Sequence, residues 1–330
     1  MARTYRPGSG VGWASVCDVG TAGLVRVWRP DWPCPAGRIL GQQRRGAADP
    51  TYRVEGAGSD RARHWRGIRT PAGPATLAVQ ARADLGEVHA EAWGHGADWA
   101  LTSVPGLLGA DDDPSGFDPQ HPVLTEILRH HPHWRLGRSG LVMEALVPSI
   151  IEQKVTGQEA FAGFRALVVR HGEPAPGPGA DHRLWIQPDA ATLRVIPSWA
   201  WLHLHVDPAR SRAVVAAARV ADSLERAASQ PPAEVERRLT SLPGIGRWTS
   251  AEVRTRALGD ADAVSFGDYH VAKDVGWALT GTAFDDAELE EFLEPWRPHR
   301  GRVPALIAMA RLGRPRRGPR MAPRTHLPAR

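Results

Sequence analysis

The stretch Leu242-Pro243-Gly244-Ile245-Gly246-Arg247-Trp248-Thr249 lies between two segments of helical period and decides how the second half of the chain folds. Upstream, Pro232-Ala233-Glu234-Val235-Glu236-Arg237-Arg238-Leu239 follows paired prolines and spaces its apolar residues for a helix. Downstream, Thr249 to Leu258 reads as a second helix stopped near Gly259. The two helices meet at Pro-Gly-Ile-Gly. Gly244 and Gly246 permit positive φ and carry no Cβ, so an anionic backbone can approach the amides that open the second helix. An ordinary helix corner would use the same glycines for geometry alone.

Beyond this hairpin, Asp268 stands in Ser265-Phe266-Gly267-Asp268-Tyr269, 22 positions after Gly246. An Asp after a Gly commonly N-caps a helix, here one expected over Tyr269 to Leu279. The hairpin and the carboxylate at this interval together resemble the helix-hairpin-helix, Gly/Pro-Asp superfamily of DNA base-excision glycosylases, and within it the DNA-3-methyladenine glycosylase II group. The resemblance covers roughly residues 116 to 312. It takes in Leu141-Val142-Met143-Glu144-Ala145-Leu146-Val147, then Ile150-Ile151-Glu152-Gln153-Lys154-Val155-Thr156-Gly157, and Trp296-x-Pro298-x-Arg300 near the end.

The resemblance implies a partner, double-stranded DNA containing alkylated bases, and a reaction, hydrolysis of the N-glycosidic bond of a flipped purine. It implies no cofactor, and a monovalent cation at the hairpin carbonyls in place of side-chain metal ligands. Leu242, Gly244, Ile245, Gly246, Arg247 and Thr249 become the DNA-binding hairpin, with Gln153, Lys154 and Arg300 as further DNA contacts. Trp248 and Tyr269 become base-binding residues, and Asp268 the catalytic carboxylate. Cleavage develops positive charge on the sugar, and a carboxylate about 4 Å away contributes roughly 4 kcal/mol at an effective dielectric near 20, about a thousandfold in rate.

Trp248 refines that reading. Superfamily members that also cut the DNA backbone carry a catalytic lysine at this place, so tryptophan here points to water as nucleophile and an abasic product. An indole can also stack on a cationic alkylated base, worth about 0.5 to 2 kcal/mol. Lysine occurs only at 154 and 273. Lys273, five residues beyond Asp268, keeps a bifunctional glycosylase/lyase reading open, and a DNA-binding protein that retains the hairpin without chemistry is the other alternative. The chain departs from its relatives twice. Lys154 stands where some carry an apolar wedge, and Val303 to Leu312 contains no aromatic residue. The first leaves a phosphate contact and an aliphatic filler both open.

Composition agrees with this reading without producing it. The chain has 330 residues, 42% of them hydrophobic, and a formal net charge of +5, suited to an anionic partner. Its two cysteines, Cys17 and Cys34, cannot hold the iron-sulfur cluster of some relatives, and the histidines at 130, 131, 133, 203 and 205 lack spaced acidic or thiolate companions. No apolar run approaches the roughly 20 residues of a membrane span, and no signal peptide opens the chain, so a cytoplasmic monomer is expected.

The expected fold class is α+β, a mainly α-helical core with a small N-terminal antiparallel β-sheet domain. Residues 1–45, rich in Gly, Pro, Arg and Trp without a period, read as a poorly ordered extension. Residues 46–115 carry the short alternating runs Thr51-Tyr52-Arg53-Val54 and Ala75-Thr76-Leu77-Ala78-Val79-Gln80, then an acidic linker whose Asp111-Asp112-Asp113 reads as a solvated turn. Residues 116–312 form the helical core, with one long helix expected from Pro208 to Ala228, and 313–330 a basic disordered tail.

Overall fold

The computed structural model describes residues 23–315 and the strand Ala14–Val16. The expected basic tail from 316 onward and most of the first 22 residues therefore lie outside the described residues. Six strands form one antiparallel sheet: β1 (Ala14–Val16), β2 (Leu24–Trp28), β3 (Tyr52–Glu55), β4 (Arg63–Thr70), β5 (Gly73–Arg82) and β6 (Glu87–Trp93). Their order is β1-β2-β6-β5-β4-β3. The alternation from Tyr52 onward supplies the β3 to β6 meander, and β2 adds to the β6 edge with Leu24 opposite Ala92 and Trp28 opposite Val88.

Residues 23–45 correct the expectation of a poorly ordered extension. Besides β2, they form α1 (Ala36–Leu40), and Trp28, Ile39 and Leu40 are at most 4% exposed. Both elements are five residues long, too short to display a period among the surrounding prolines and glycines. They become regular because the sheet offers them an apolar face together with α2 (Ala97–Leu107). The opposite face, at Trp65 and Ala78, is covered by a short hairpin of β7 (Glu173–Pro174) and β8 (Trp185–Ile186).

The helical part continues with α3 (Pro122–His130), α4 (Val142–Ile151), α5 (Gly157–His171), α6 (Ala190–Val195), α7 (Ser198–His203), α8 (Pro208–Arg219) and α9 (Ala221–Ala227). It closes with α10 (Pro232–Thr240), α11 (Arg247–Val253), α12 (Val271–Thr280), α13 (Asp286–Leu293) and α14 (Arg302–Ala310). The single helix expected from Pro208 to Ala228 is broken at Val220, whose φ of −119° and ψ of 18° leave the helical region. Neither glycine nor proline marks that break. The apolar interior does not follow chain order: α3, α12, α13 and α14 share a core with the sheet, whereas α4 to α11 enclose a second one. The hairpin helix α11 belongs to the second core and the helix after Asp268 to the first, so the two halves of the motif meet where the cores adjoin.

The acidic linker is also not the solvated turn expected. Asp112 and Arg302 pair with side chains only 4% and 2% exposed, and Asp112 also accepts the Leu136 amide. Asp111 pairs with Arg138, and Asp113 accepts the Ser115 amide. Among the described residues no helix is long and apolar enough to cross a membrane.

Candidate active site and nucleic-acid interface

The hairpin forms as its glycines require. α10 stops at Thr240, the chain turns through Gly244 at φ 86°, and α11 starts after Gly246. A positive φ would strain any residue with a Cβ, which fixes the need for glycine at 244. Gly246 is extended instead, at φ −104° and ψ −174°, but its Cα faces open space, leaving the α11 amides approachable. Ile245 anchors the turn at 5% exposure in the second core. Leu242 packs partly buried against that core, and the Thr249 side chain is buried beneath the turn. Arg254 donates to both Glu236 of α10 and Asp260, locking the two helices together from behind.

Gln153 departs from its expected role. Its side-chain amide donates to the Gly244 carbonyl at 2.9 Å and to Thr249 Oγ1 at 2.8 Å, so it braces the hairpin from the end of α4. Both donors of that amide are then engaged within the protein. Lys154 follows, exposed and in the left-handed region at φ 53°. Of the residues singled out after α4, Lys154 is thus the one that projects outward.

Asp268 lies across from the hairpin, at the end of a tight turn. Its amide donates to the Ser265 carbonyl at 3.1 Å, with Gly267 at φ 88° in the position where a type II turn demands glycine. Asp268 Oδ1 accepts the amides of His270 at 2.7 Å and Val271 at 3.1 Å, so capping of the next helix and a carboxylate turned toward the hairpin coexist. The helix it caps is α12, starting at Val271, two residues later than expected. Asp268 Oδ2 accepts Trp248 Nε1–H at 3.1 Å. Hairpin and carboxylate are therefore joined by a direct hydrogen bond.

Trp248 is half-buried, whereas Tyr269 is 75% exposed beside Asp268. Lys273 lies under that ring, its ammonium 3.6 Å from the centroid and donating to the Tyr269 carbonyl at 3.0 Å. The amine is occupied by Tyr269 and makes no bond to Asp268.

The arginines near the site are mostly spoken for. Arg300 is 9% exposed, its guanidinium donating to Asp262 at 2.9 and 2.6 Å, so the expectation of an Arg300 contact with DNA does not hold. It works from inside: with the Gly301 amide on the Ala261 carbonyl, it pins the segment that leads to the turn from Ser265 to Asp268. Burial alone pushes the Asp262 carboxyl up, but Arg300, the Arg300 amide and Arg297 outweigh it and hold the group below the usual range. Arg302 is buried on Asp112 and Arg297 pairs with Glu294 and Asp262. Arg247 spans to Glu290 on α13 at 2.7 Å and lies over the Phe266 ring, with more than half its side chain exposed.

Sequence reasoning missed Glu252 and Ser265. Glu252 lies four residues after Trp248 on the hairpin helix and accepts the Ser265 hydroxyl at 2.6 Å. The i, i+4 spacing from Trp248 was the available signal, since it sets both side chains on one face of α11. Among the described residues no group of three or more His, Cys, Asp or Glu side chains is gathered as metal ligands.

No protein-family profile matches the chain. It is 29% identical over 212 residues to a probable bifunctional transcriptional activator/DNA repair enzyme AlkA of Mycobacterium tuberculosis, across 59% of this chain and 39% of that protein. The chain therefore spans about two fifths of the length of the curated relative it matches. In structure it is similar to a 3-methyladenine DNA-glycosylase from Archaeoglobus fulgidus, with a TM-score of 0.72, 16% identity and coverage of 87% of this chain and 98% of the other. It is also similar to an 8-oxoguanine glycosylase/lyase of Clostridium acetobutylicum, with a TM-score of 0.66, 12% identity and coverage of 90% and 98%. The fold is that of helix-hairpin-helix DNA glycosylases, and the α+β class and the resemblance drawn from the hairpin and Asp268 are borne out.

Proposed function

We propose that this protein, with its helix-hairpin-helix glycosylase fold, is a monofunctional DNA glycosylase that removes alkylated purines of the 3-methyladenine type from duplex DNA. The observation that carries the reading is the Asp268 carboxylate, held by the Trp248 indole on one oxygen and by the His270 and Val271 amides on the other, directly beside the hairpin. The exposed Gly244 and Gly246 of the turn and the opening amides of α11 would take phosphates of the backbone, and Lys154 would enter the space left by the flipped nucleotide.

In this mechanism the bond between the sugar and the purine nitrogen breaks with its electron pair leaving on the base. An alkylated purine already carries positive charge, so it departs neutral and needs no strong acid. The anionic Asp268 stabilises the sugar cation, and water adds to the anomeric carbon, releasing one proton and leaving an abasic site. Because its geometry is fixed before substrate arrives, little reorganisation is needed as charge develops.

The lyase alternative would require an amine at the sugar. Trp248 occupies the hairpin position where relatives carry lysine, and Lys273 would have to leave both the Tyr269 carbonyl and its ring. The test is to incubate the protein with methylated duplex DNA and analyse both products. Free methylated purine with an unbroken, borohydride-inert abasic strand is expected; absence of free base, or a trapped protein-DNA adduct, overturns the reading.

A further inference from the structure

The catalytic turn is held by α11 at two points. Trp248 and Glu252, four residues apart on one helix face, reach Asp268 and Ser265, three residues apart at the two ends of the closed turn. The first contact fixes the carboxylate itself. The second fixes where the turn begins, and the Ser265 hydroxyl can donate only if Glu252 offers an oxygen there.

What surrounds Glu252 determines its charge. Burial alone would push its carboxyl up, but Arg256, the Ser265 hydroxyl and Arg45 together hold it below the usual carboxylate range. Arg256 donates to Glu252 Oε2 at 2.5 Å. Arg45, 6% exposed, arrives from the segment between α1 and β3 and donates to both oxygens of Glu152 at 3.0 and 3.2 Å. Gln43 of that segment donates to the Arg256 carbonyl at 3.3 Å. The sheet domain thus supplies a buried cation beside the hairpin helix, and Glu152 of the same cluster immediately precedes Gln153 and Lys154.

We propose that Glu252, held on its other oxygen by Arg256, is a positioning residue for base release that sets Asp268 through the Ser265 hydroxyl. This rests on the glycosylase reading above. A turn freed at Ser265 would still cap α12 and still meet Trp248, so the fold survives, but the carboxylate would no longer be held at both ends of its turn. Misplacement of a reacting group by about 1 Å can cost on the order of a hundredfold in rate.

The experiment uses the full chain and methylated duplex DNA, comparing wild type, Ser265→Ala and Ser265→Thr, with Asp268→Asn as the chemical control. Single-turnover base release, affinity for duplex carrying an uncleavable abasic analogue, and melting temperature are read for each. Ser265→Ala should release base roughly 10- to 100-fold more slowly with affinity unchanged, and Ser265→Thr, which keeps the hydroxyl, should recover most of the rate. Glu252→Gln, which keeps an oxygen for Ser265 but not the charge, should fall between wild type and Ser265→Ala. Wild-type release by Ser265→Ala, or failure of Ser265→Thr to exceed it, overturns the positioning role while leaving the glycosylase reading intact. No release by wild type, or full release by Asp268→Asn, overturns that reading and the positioning role with it.

Discussion

Trp248 donates its indole N–H to Asp268 at 3.1 Å, so a side chain expected to stack on a base also orients the carboxylate proposed to act on the sugar. The two tasks are compatible, because the hydrogen bond lies in the ring plane and stacking uses its face. A hydrogen bond to a charged acceptor contributes about 1.5 to 3 kcal/mol. Trp248→Phe keeps a stacking face and removes the donor. Base release should fall roughly 10- to 100-fold in single turnover, with affinity for abasic duplex within a few-fold of wild type. An equal loss of affinity and rate would assign the indole to binding alone.

Gln153 gives a different outcome because it braces the grip. Its amide ties the Gly244 carbonyl to Thr249 Oγ1, and each neutral hydrogen bond is worth about 1 kcal/mol. Gln153→Leu should weaken binding to damaged and undamaged duplex alike, by about tenfold at fixed salt, because a hairpin that grips phosphates would read backbone and not sequence. Fluorescence anisotropy with both duplexes checks this. A loss confined to damaged DNA would place Gln153 at the flipped nucleotide instead.

The Arg300 and Asp262 pair sets a pH dependence of stability. The folded Asp262 carboxyl lies below its unfolded value of about 3.9, so its contribution is complete above that pH and is lost as pH falls through the folded value. Between pH 7 and 5 this pair should leave the melting temperature flat, with the fall beginning near pH 4. Asp262→Asn should lower the melting temperature at pH 7 and shrink the further fall in acid. An unchanged acid slope in that variant would remove the pair from the account.

The hairpin and Asp268 were legible because they rest on local backbone demands. Gly244 must take positive φ, Gly267 must complete the turn before Asp268, and such needs are written at single positions. The inward arginines were not legible. Arg300, Arg302 and Arg45 look like surface charges until their partners are known, and Asp262, Asp112 and Glu152 lie 38, 190 and 107 positions away. The break at Val220 carries no glycine or proline, and β2 and α1 owe their order to a sheet built later in the chain. Glu252 and Ser265 fall between these cases. Their 13-residue separation has no signature of its own, and only the helical phase shared with Trp248 hinted at them.

In the proposed enzyme the chemistry resides in the Asp268 carboxylate while the hairpin supplies the grip. The most direct measurement is single-turnover release of methylated purine from duplex DNA by Asp268→Asn, with duplex affinity measured on the same preparation. Asparagine keeps an oxygen for the His270 and Val271 amides, so folding and binding should persist within a few-fold while release falls by about a thousandfold or more. Release within tenfold of wild type, at unchanged affinity, would contradict the account.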